Sequence, residues 1–441
     1  MSRFKDLQKN LFGGTTSNAR QFGMIFTLVA IVLLFQFLTA RNLGVGFGDG
    51  LTLRSDNLIA LFQQNSYILI LAIGMLMVIV AGHIDLSVGS IAALVGILVA
   101  KSMADWSLPW PAAILLGLGC GAVIGAWQGF WVAYVGVPAF IVTLAGMLLF
   151  RGANQFVGNA DTIPVPKGFQ NIGAGFLPEI GPDTGYNNLT LLLGLAACVA
   201  VVWRELQARR TRKEMDAEPT PMWVSGIRIA IMIAVLVFVT LRFAGGRVGT
   251  SFPISGLILV VLVIAYSFYT RNTAGGRYIY AVGGNSRAAE LSGVKLKRVN
   301  FFVMTNMSIL AALAGMIFVA RSAASGPQDG LNWELDAIAA VFIGGAAVSG
   351  GIGTISGSIV GGLVMAVLNN GLQLLGVGTD RVQIIKGLVL LLAVALDVYN
   401  KSQGRFSVIG SITRPFRREA PAEPASSLEA GSKPAKTTVA G

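Results

Sequence analysis

The chain has 441 residues, of which 54% are hydrophobic and only 12% are charged. Soluble globular domains carry about 25% charged residues, so this composition excludes a soluble domain and indicates a membrane protein. The net charge is +12, but the basic residues flank apolar stretches, which membrane topology explains better than nucleic-acid binding. The two cysteines, Cys120 and Cys198, lie within apolar stretches and form neither a disulfide framework nor a metal-binding spacing.

The first half of the chain contains six apolar stretches long enough to cross a bilayer. Four basic residues precede the first stretch, which lacks a small-residue cleavage site, so we expect an uncleaved span and not a signal peptide. Residues 151–187 are polar, rich in Gly and Pro, and more acidic than basic, which predicts an outer loop. The predicted spans cover residues about 23–40, 58–81, 86–103, 111–135, 138–150 and 188–203.

The second half alternates apolar spans with loops of opposite charge. Five basic residues crowd the start of 204–219, which predicts an inner loop, whereas 321–336 holds three acids and one base and is predicted to lie outside. Residues 337–354 are too short and too rich in Gly for a lipid-facing helix, so we expect a broken element packed within the protein. Further spans are predicted at about 223–243, 254–270, 301–320, 355–375 and 381–398.

These stretches predict an all-α polytopic membrane protein, a bundle of about 10–12 transmembrane helices with both termini in the cytoplasm. The transmembrane region is expected to cover 1–414, and residues 415–441 have the composition of a disordered cytoplasmic tail. A similarity between two stretches offset by about 242 positions indicates two related halves. The matching residues are Gly119-Cys120-Gly121 and Gln128-Gly129 in one half, and Gly361-Gly362 and Asn370-Gly371 in the other.

Small residues recur at every fourth position in two stretches of the chain. In a helix this spacing places them on one face and lets two backbones approach closely. We therefore predict Gly-packed helices in the centre of the bundle. The residues are Gly117, Gly121, Gly125 and Gly129 in the first stretch, and Ser349, Gly353, Gly357 and Gly361 in the second.

A polar stretch, residues 271–300, interrupts the spans and holds six basic residues against one acid, which predicts a cytoplasmic loop. Within it, Asn285 can cap a short helix and Gly293 can end it. A helix of about two turns is marginal alone, so we expect it to pack on another surface. Its predicted apolar side consists of Ala288, Ala289 and Leu291. Two interpretations remain open: a solvated connector between spans, or a docking element for a soluble partner.

Asp85, with His83 beside it, is an ionisable position in apolar surroundings. Ionisable groups at membrane depth often mark a translocation path because they are costly to bury unless paired or hydrated. Asp85 can instead cap the N-terminus of the third span, where the helix dipole favours a negative charge. His83 is the only histidine in the chain, so neither a proton relay nor a metal site is expected.

Further polar residues lie in otherwise apolar spans. Asn369, Asn370 and Gln128 either form hydrogen bonds between helices or line a polar path. Lys386, in the last span, either extends to the membrane surface or pairs with another group. The candidate residues of a translocation path are thus His83, Asp85, Gln128, Asn369 and Asn370.

The sequence lacks the motifs of several enzyme classes. It contains no phosphate-binding loop of the form G-x-x-x-x-G-K-[ST], so we do not expect the chain to bind ATP by itself. It contains no nucleophile–base pair, carboxylate pair or Cys/His cluster, so an intramembrane enzyme, a metal site or a bound cofactor is not expected.

Five stretches resemble, in the same order, the permease subunits of bacterial ABC importers for monosaccharides. They are AGHIDLSVGSIAAL (81–94), VGVPAFIVTLAGM (135–147), AVGGNSRAAELSGVKLKRVN (281–300), FIGGAAVSGGIGTISGS (342–358) and NNGLQLLGVGTDRVQIIKGLVLLLAVALDVYNK (369–401). The resemblance covers most of 58–401 and is greatest to the xylose-type and multiple-monosaccharide branch of the ribose/xylose permease family. The Gly82-His83 pair departs from the Gly-Gly of ribose permeases, and the polar insertion 204–222 also suits the longer branch.

The resemblance implies a homodimeric subunit of the bacterial inner membrane that translocates xylose or a related sugar by alternating access. It implies two soluble partners, a cytoplasmic ATP-binding-cassette subunit that hydrolyses the ATP and a periplasmic sugar-binding protein, so this chain itself would not be an enzyme. The residues that the resemblance assigns to ATPase coupling are Asn285, Arg287, Ala288, Ala289, Ser292 and Gly293.

Two other functions compete with this interpretation. A secondary transporter driven by protons or sodium needs charged coupling sites at the membrane midplane, and His83 and Asp85 supply few of them. A membrane-embedded glycosyl or lipid transferase needs catalytic carboxylates that face a lipid carrier.

Overall fold

The computed structural model describes residues 16–214, 222–246 and 249–402. Within these ranges the chain is mainly helical with two very short strands, and ten helices are long and apolar enough to cross a membrane. The predicted fold class, an all-α polytopic membrane protein, is therefore confirmed. The predicted tail, 415–441, and the basic residues before Thr16 lie outside the described residues.

The first half of the chain forms eight helices and one short strand. They are α1 (Thr16–Leu43), α2 (Ser55–Val80), α3 (Val88–Asp105), α4 (Trp110–Phe130), α5 (Ala139–Val157), β1 (Ile163–Pro164), α6 (Lys167–Ala174), α7 (Asn188–Glu214) and α8 (Met222–Ala244). A 3₁₀ turn, Phe47–Asp49, lies between α1 and α2, and a π-helical turn, Trp131–Val135, extends α4.

The second half forms seven helices and a strand that pairs antiparallel with β1. They are α9 (Ile254–Asn272), α10 (Ala274–Gly284), α11 (Ser286–Leu291), α12 (Leu296–Ser322), β2 (Ala324–Ser325), α13 (Trp333–Ile343), α14 (Ile355–Leu374) and α15 (Thr379–Ser402).

Helix α12 lies at the centre of the bundle. It packs against α2, α3, α4 and α6, and its apolar side chains contribute to the main hydrophobic core. Gly315 permits the close approach of α3, because a Cβ atom at this position would overlap the backbone of Ala92.

The non-helical linker 81–87 carries the chain from the end of α2 into the interior of the bundle. Ser87, the last residue of this linker, accepts a hydrogen bond from the side chain of Gln128 on α4 (2.7 Å). Gln128 in turn accepts one from Ser308 (3.3 Å), which lies about halfway along α12. Helix α3 therefore begins in the middle of the bundle and not at its edge.

The half-length element predicted from the Gly-rich stretch is α13, which also begins in the interior. Gly330, three residues before α13, contacts Gly89 in the first turn of α3, and a Cβ atom on either glycine would overlap the other's backbone. After α13, the segment 344–354 is non-helical and leads to α14. Two elements that start inside the protein thus meet at one point.

The structure differs from the predicted boundaries in two loops. The fifth span continues to Val157. The polar residue Asn154 is accommodated inside the bundle because its side-chain amide donates to the Pro327 carbonyl (3.3 Å). The predicted outer loop 151–187 contains α6, whose Phe169 is fully buried. Part of the predicted outer loop 321–336 packs into the bundle, where Gly330 contacts Gly89.

Candidate functional site

The polar stretch 271–300 forms two short helices in series. Thr273 caps α10, because its hydroxyl oxygen accepts from the Gly276 amide (3.1 Å). Asn285 caps α11 in the same way, accepting from the Ala288 amide (3.0 Å), and Gly293 follows the helix with a positive φ of 87°. Local capping thus accounts for two helices too short to be stable alone.

The six-residue helix α11 has one side packed on the protein and one side exposed. Ala289 is only 6% exposed and packs in a cluster with Val282 and Val294. Leu291, by contrast, is 85% exposed. The predicted shared apolar side of Ala288, Ala289 and Leu291 is therefore wrong, because only Ala289 faces the protein. The other residues assigned to ATPase coupling, Asn285, Arg287, Ala288, Ser292 and Gly293, are exposed.

Backbone contacts join α10 to the end of α2 and to the segment 344–354. A Cβ atom on Gly283 would overlap the Val80 carbonyl group, and the Gly351 amide donates to the same carbonyl (2.9 Å). The hydroxyl of Tyr280 donates to the Gly353 carbonyl (2.8 Å). Helix α10 therefore touches the broken core element directly, without an intervening side chain at Gly283 and Gly351.

His83 lies at this same end of the bundle, half-buried in the linker that follows α2. Burial lowers the pKa of His83, while the side chain of Asn300, at the start of α12, opposes that shift. Burial therefore favours the neutral form of the ring.

Asp85 and Gln128 belong to one buried hydrogen-bond chain. One Asp85 carboxylate oxygen accepts from the Ser87 amide (2.8 Å) and the Ser87 hydroxyl (2.6 Å). Through Ser87 and Gln128 this chain reaches Ser308 on α12. Asp85, Ser87 and Gln128 are completely buried, so none of them lines an open surface in this conformation. Asp85 lies three residues before α3. Its carboxylate accepts hydrogen bonds within the turn that precedes the helix and not from the free amides of the first helical turn.

A second buried carboxylate, Glu334, lies at the meeting point of α3 and α13. It is 5% exposed, and a Cβ atom on Gly89 would lie 2.6 Å from its Oε2 atom. The Arg151 and Asp85 side chains lie within electrostatic range of this carboxylate. Oε2 of Glu334 and Oδ2 of Asp85 have no hydrogen-bond partner among the described residues. The interior therefore holds polar groups that are unsatisfied at the point where two helices begin.

Sequence reasoning missed Glu334 because it lies in a stretch whose acidic composition predicts an exposed loop. The adjacent Gly-rich element could have indicated its position. Because that element packs inside the protein, the part of the loop joined to it must also lie inside.

The remaining polar candidates are separate from this point. Asn370 and Asn57 exchange two hydrogen bonds of 3.0 Å between α14 and α2, and Asn369 beside it is half-buried. The Lys386 ammonium on α15 pairs with the Asp336 carboxylate on α13. The described structure thus gives Asn370 an interhelical bond and gives Lys386 an ionic partner.

The first of the two stretches with a small residue at every fourth position faces α12 along its whole length. Cβ atoms at Gly117, Gly121 and Gly125 would lie 2.6–2.7 Å from atoms of Met316, Ala312 and Thr305, and one at Gly129 would lie 3.0 Å from the Phe301 carbonyl oxygen. In the second stretch, Gly357 and Gly361 face the end of α13, whereas Gly353 precedes α14 and lies against Leu76.

The chain was compared with known proteins. A family model described as the permease component of the branched-chain amino acid transport system matches residues 57–394. The chain is 38% identical over 377 residues to the xylose transport system permease protein XylH of Haemophilus influenzae, covering 85% of this chain and 96% of that protein. It is 37% identical over 392 residues to XylH of Escherichia coli K12, covering 88% and 95%.

The ribose import permease protein RbsC of Escherichia coli K12 is 36% identical over 348 residues, covering 79% of this chain and 87% of that protein. No solved structure matches the chain. Because the family model and the relatives each cover most of the chain, it belongs to the family of ABC-importer permeases that includes the xylose and ribose permeases.

Proposed function

We propose that the chain is the membrane subunit of an ATP-driven importer that carries xylose, or a closely related monosaccharide, across the bacterial inner membrane. The names of its relatives, which state xylose transport and ribose import, support this substrate class. In this proposal two copies of the chain work with a cytoplasmic ATP-binding-cassette subunit and a periplasmic sugar-binding protein. ATP hydrolysis takes place in the cytoplasmic partner.

The observation that carries the proposal is the exposed side of α11. Leu291 leaves 85% of a large apolar side chain in contact with solvent, on a helix whose opposite side is fixed by Ala289. Such a side chain, next to the exposed Arg287 and Ala288, suits a protein contact better than a solvated connector, because removing its apolar surface from water would stabilise a complex. We assign the ATPase contact to Leu291 and its exposed neighbours, and a packing role to Ala289.

Backbone contact gives the docked helices a route to the core. A displacement of α10 moves Gly283 against Val80 at the end of α2, and Gly351 is bonded to the same carbonyl group. The segment 344–354 joins α13 to α14, so we infer that both helices follow the motion. Close-packed backbones have little freedom to absorb such a displacement locally.

The buried chain from Asp85 to Ser308 has a positioning role in this proposal. It ties the start of α3 to α4 and α12, while Glu334 lies against the same start. We infer that the interior ends of α3 and α13 move together when the path opens, and that Asp85 and Gln128 keep them in register instead of contacting the sugar.

In the proposed orientation, α10, α11 and both termini face the cytoplasm. The six basic residues of 271–300 support it, because basic loops are retained on the cytoplasmic side. A green fluorescent protein fused to the C-terminus should fluoresce, and alkaline phosphatase at the same position should be inactive. The reverse pattern would refute the orientation.

Uptake into proteoliposomes tests the function. The chain is reconstituted with an ATPase subunit and a sugar-binding protein from a xylose transport system, and labelled xylose is supplied outside. We expect uptake that requires ATP inside the vesicles and persists when an uncoupler removes ion gradients. Uptake without ATP that is abolished by the uncoupler would refute the proposal.

That second outcome would instead support a proton- or sodium-coupled transporter. One observation favours this alternative: Asp85 and Glu334 are buried carboxylates with unpartnered oxygen atoms, and such groups serve in ion coupling in membrane proteins.

A further inference from the structure

Helices α7 and α8 form a hairpin at the periphery of the bundle. Their spans are the two least buried of the ten, and they pack chiefly against each other. Gly194 on α7 allows close contact near the far end of the hairpin, because a Cβ atom there would overlap the Thr240 side chain. Farther along α7, towards its basic end, the two helices leave a groove between them.

This groove has a volume of about 400 Å³ and an apolar lining. Five of its six lining residues lie on α7 with spacings of one and three, so they form one face of that helix. An apolar groove on a hairpin this exposed can accept a linear apolar chain. The lining residues are Cys198, Val199, Val202, Trp203, Leu206 and Ile233.

Two arginines continue the lining face beyond the groove. Arg209 and Arg210 follow Leu206 by three and four residues, so they lie one helical turn farther along the same face. Trp203, in the groove itself, is of the residue type that prefers the membrane–water interface. Arg204, by contrast, is two residues before Leu206 and points to the opposite side of α7.

We infer that this groove is a binding site for an anionic phospholipid. One acyl chain occupies the apolar groove, and Arg209 and Arg210 hold the phosphate at its end, since arginine forms paired, charge-assisted hydrogen bonds with phosphate oxygens. The succession of an apolar groove, an interfacial tryptophan and two arginines matches the order of chemical groups along a phospholipid. The lipid fills the space that the hairpin leaves between its helices.

Native mass spectrometry of the full chain in mild detergent tests the site. The delipidated protein is titrated with phosphatidylglycerol and, separately, with phosphatidylcholine of the same acyl composition. We expect one phosphatidylglycerol molecule to bind preferentially. The double variant Arg209→Gln/Arg210→Gln should weaken that binding about tenfold or more, because two charge-assisted bonds are lost.

Arg204→Gln is the control for position, because it removes a positive charge from the opposite face of the same helix; its binding should equal that of the parent chain. A second variant, Val202→Phe, fills the groove and should also lower occupancy while the arginines are intact. Equal binding of the two lipids, or an equal loss in the Arg204 variant, would overturn the proposal. So would an unchanged lipid count accompanied by a loss of dimer in the double variant, which would assign the groove to a second copy of the chain.

Discussion

Replacing Leu291 by serine removes the apolar contact that we assign to the ATPase without disturbing the fold. Burying a leucine side chain contributes about 1.5–3 kcal/mol, and 85% of this one is available for an interface. The substitution should therefore cost about 2 kcal/mol of docking energy, or roughly 30-fold in the dissociation constant. The thermal midpoint of the free permease should not change, because the side chain makes few contacts within the chain.

The measurement is the dissociation constant of the purified ATPase subunit for the detergent-solubilised permease, with ATP-driven uptake as the second readout. Leu43→Ser is the matched control, since Leu43 is a half-exposed leucine at the end of α1, and it should leave binding unchanged. Ala289→Asp should also abolish uptake, but through lost packing of α11 on Val282 and Val294, and therefore with a lower thermal midpoint. Undiminished binding by the Leu291 variant, with the control equally strong, would refute the docking assignment.

Three further substitutions test the contacts on which the account depends. Gly283→Ala should uncouple ATP hydrolysis from uptake while the ATPase remains bound, because a Cβ atom overlaps Val80, whereas Gly284→Ala, with open space around it, should behave as the parent. Gly121→Leu should separate α4 from α12 and lower the thermal midpoint in detergent. Gly119→Leu should leave the midpoint unchanged, since Gly119 does not face α12; equal midpoints for the two variants would contradict this packing. Asn285→Ala should destabilise α11 by about 1 kcal/mol through loss of its cap, measured as faster amide exchange across 286–291, and unchanged exchange would show that the cap is dispensable.

The positions of the spans could be predicted from the sequence because a bilayer demands long apolar stretches, and hydropathy is a local property. The short helix after Asn285 was also predictable, since a capping side chain and a glycine at the end act within one turn. The side of that helix that packs was not predictable, because Ala289 and Leu291 are both apolar and only the position of Val282 decides between them.

The depth of a polar residue in the bundle depends on tertiary contacts, and the sequence pattern did not reveal it. Glu334 and Asp336 have the composition of an exposed loop, yet the first is buried against α3 and the second pairs with Lys386. The sequence left open whether Asp85 caps a helix or lines a path, whereas its hydrogen bonds with Ser87 place it in a turn inside the protein. These positions depend on where α13 enters the bundle. That point is marked by the contact between Gly89 and Gly330, which are far apart in the chain.

The most direct test of the central claim is a photo-crosslinking amino acid placed at position 291 in cells that produce the whole transporter. If the exposed side of α11 receives the ATPase, illumination should yield a covalent adduct that contains the ATP-binding-cassette subunit, and the same reagent at position 43 should not. A crosslink to that subunit from position 43 with none from position 291 would contradict the account.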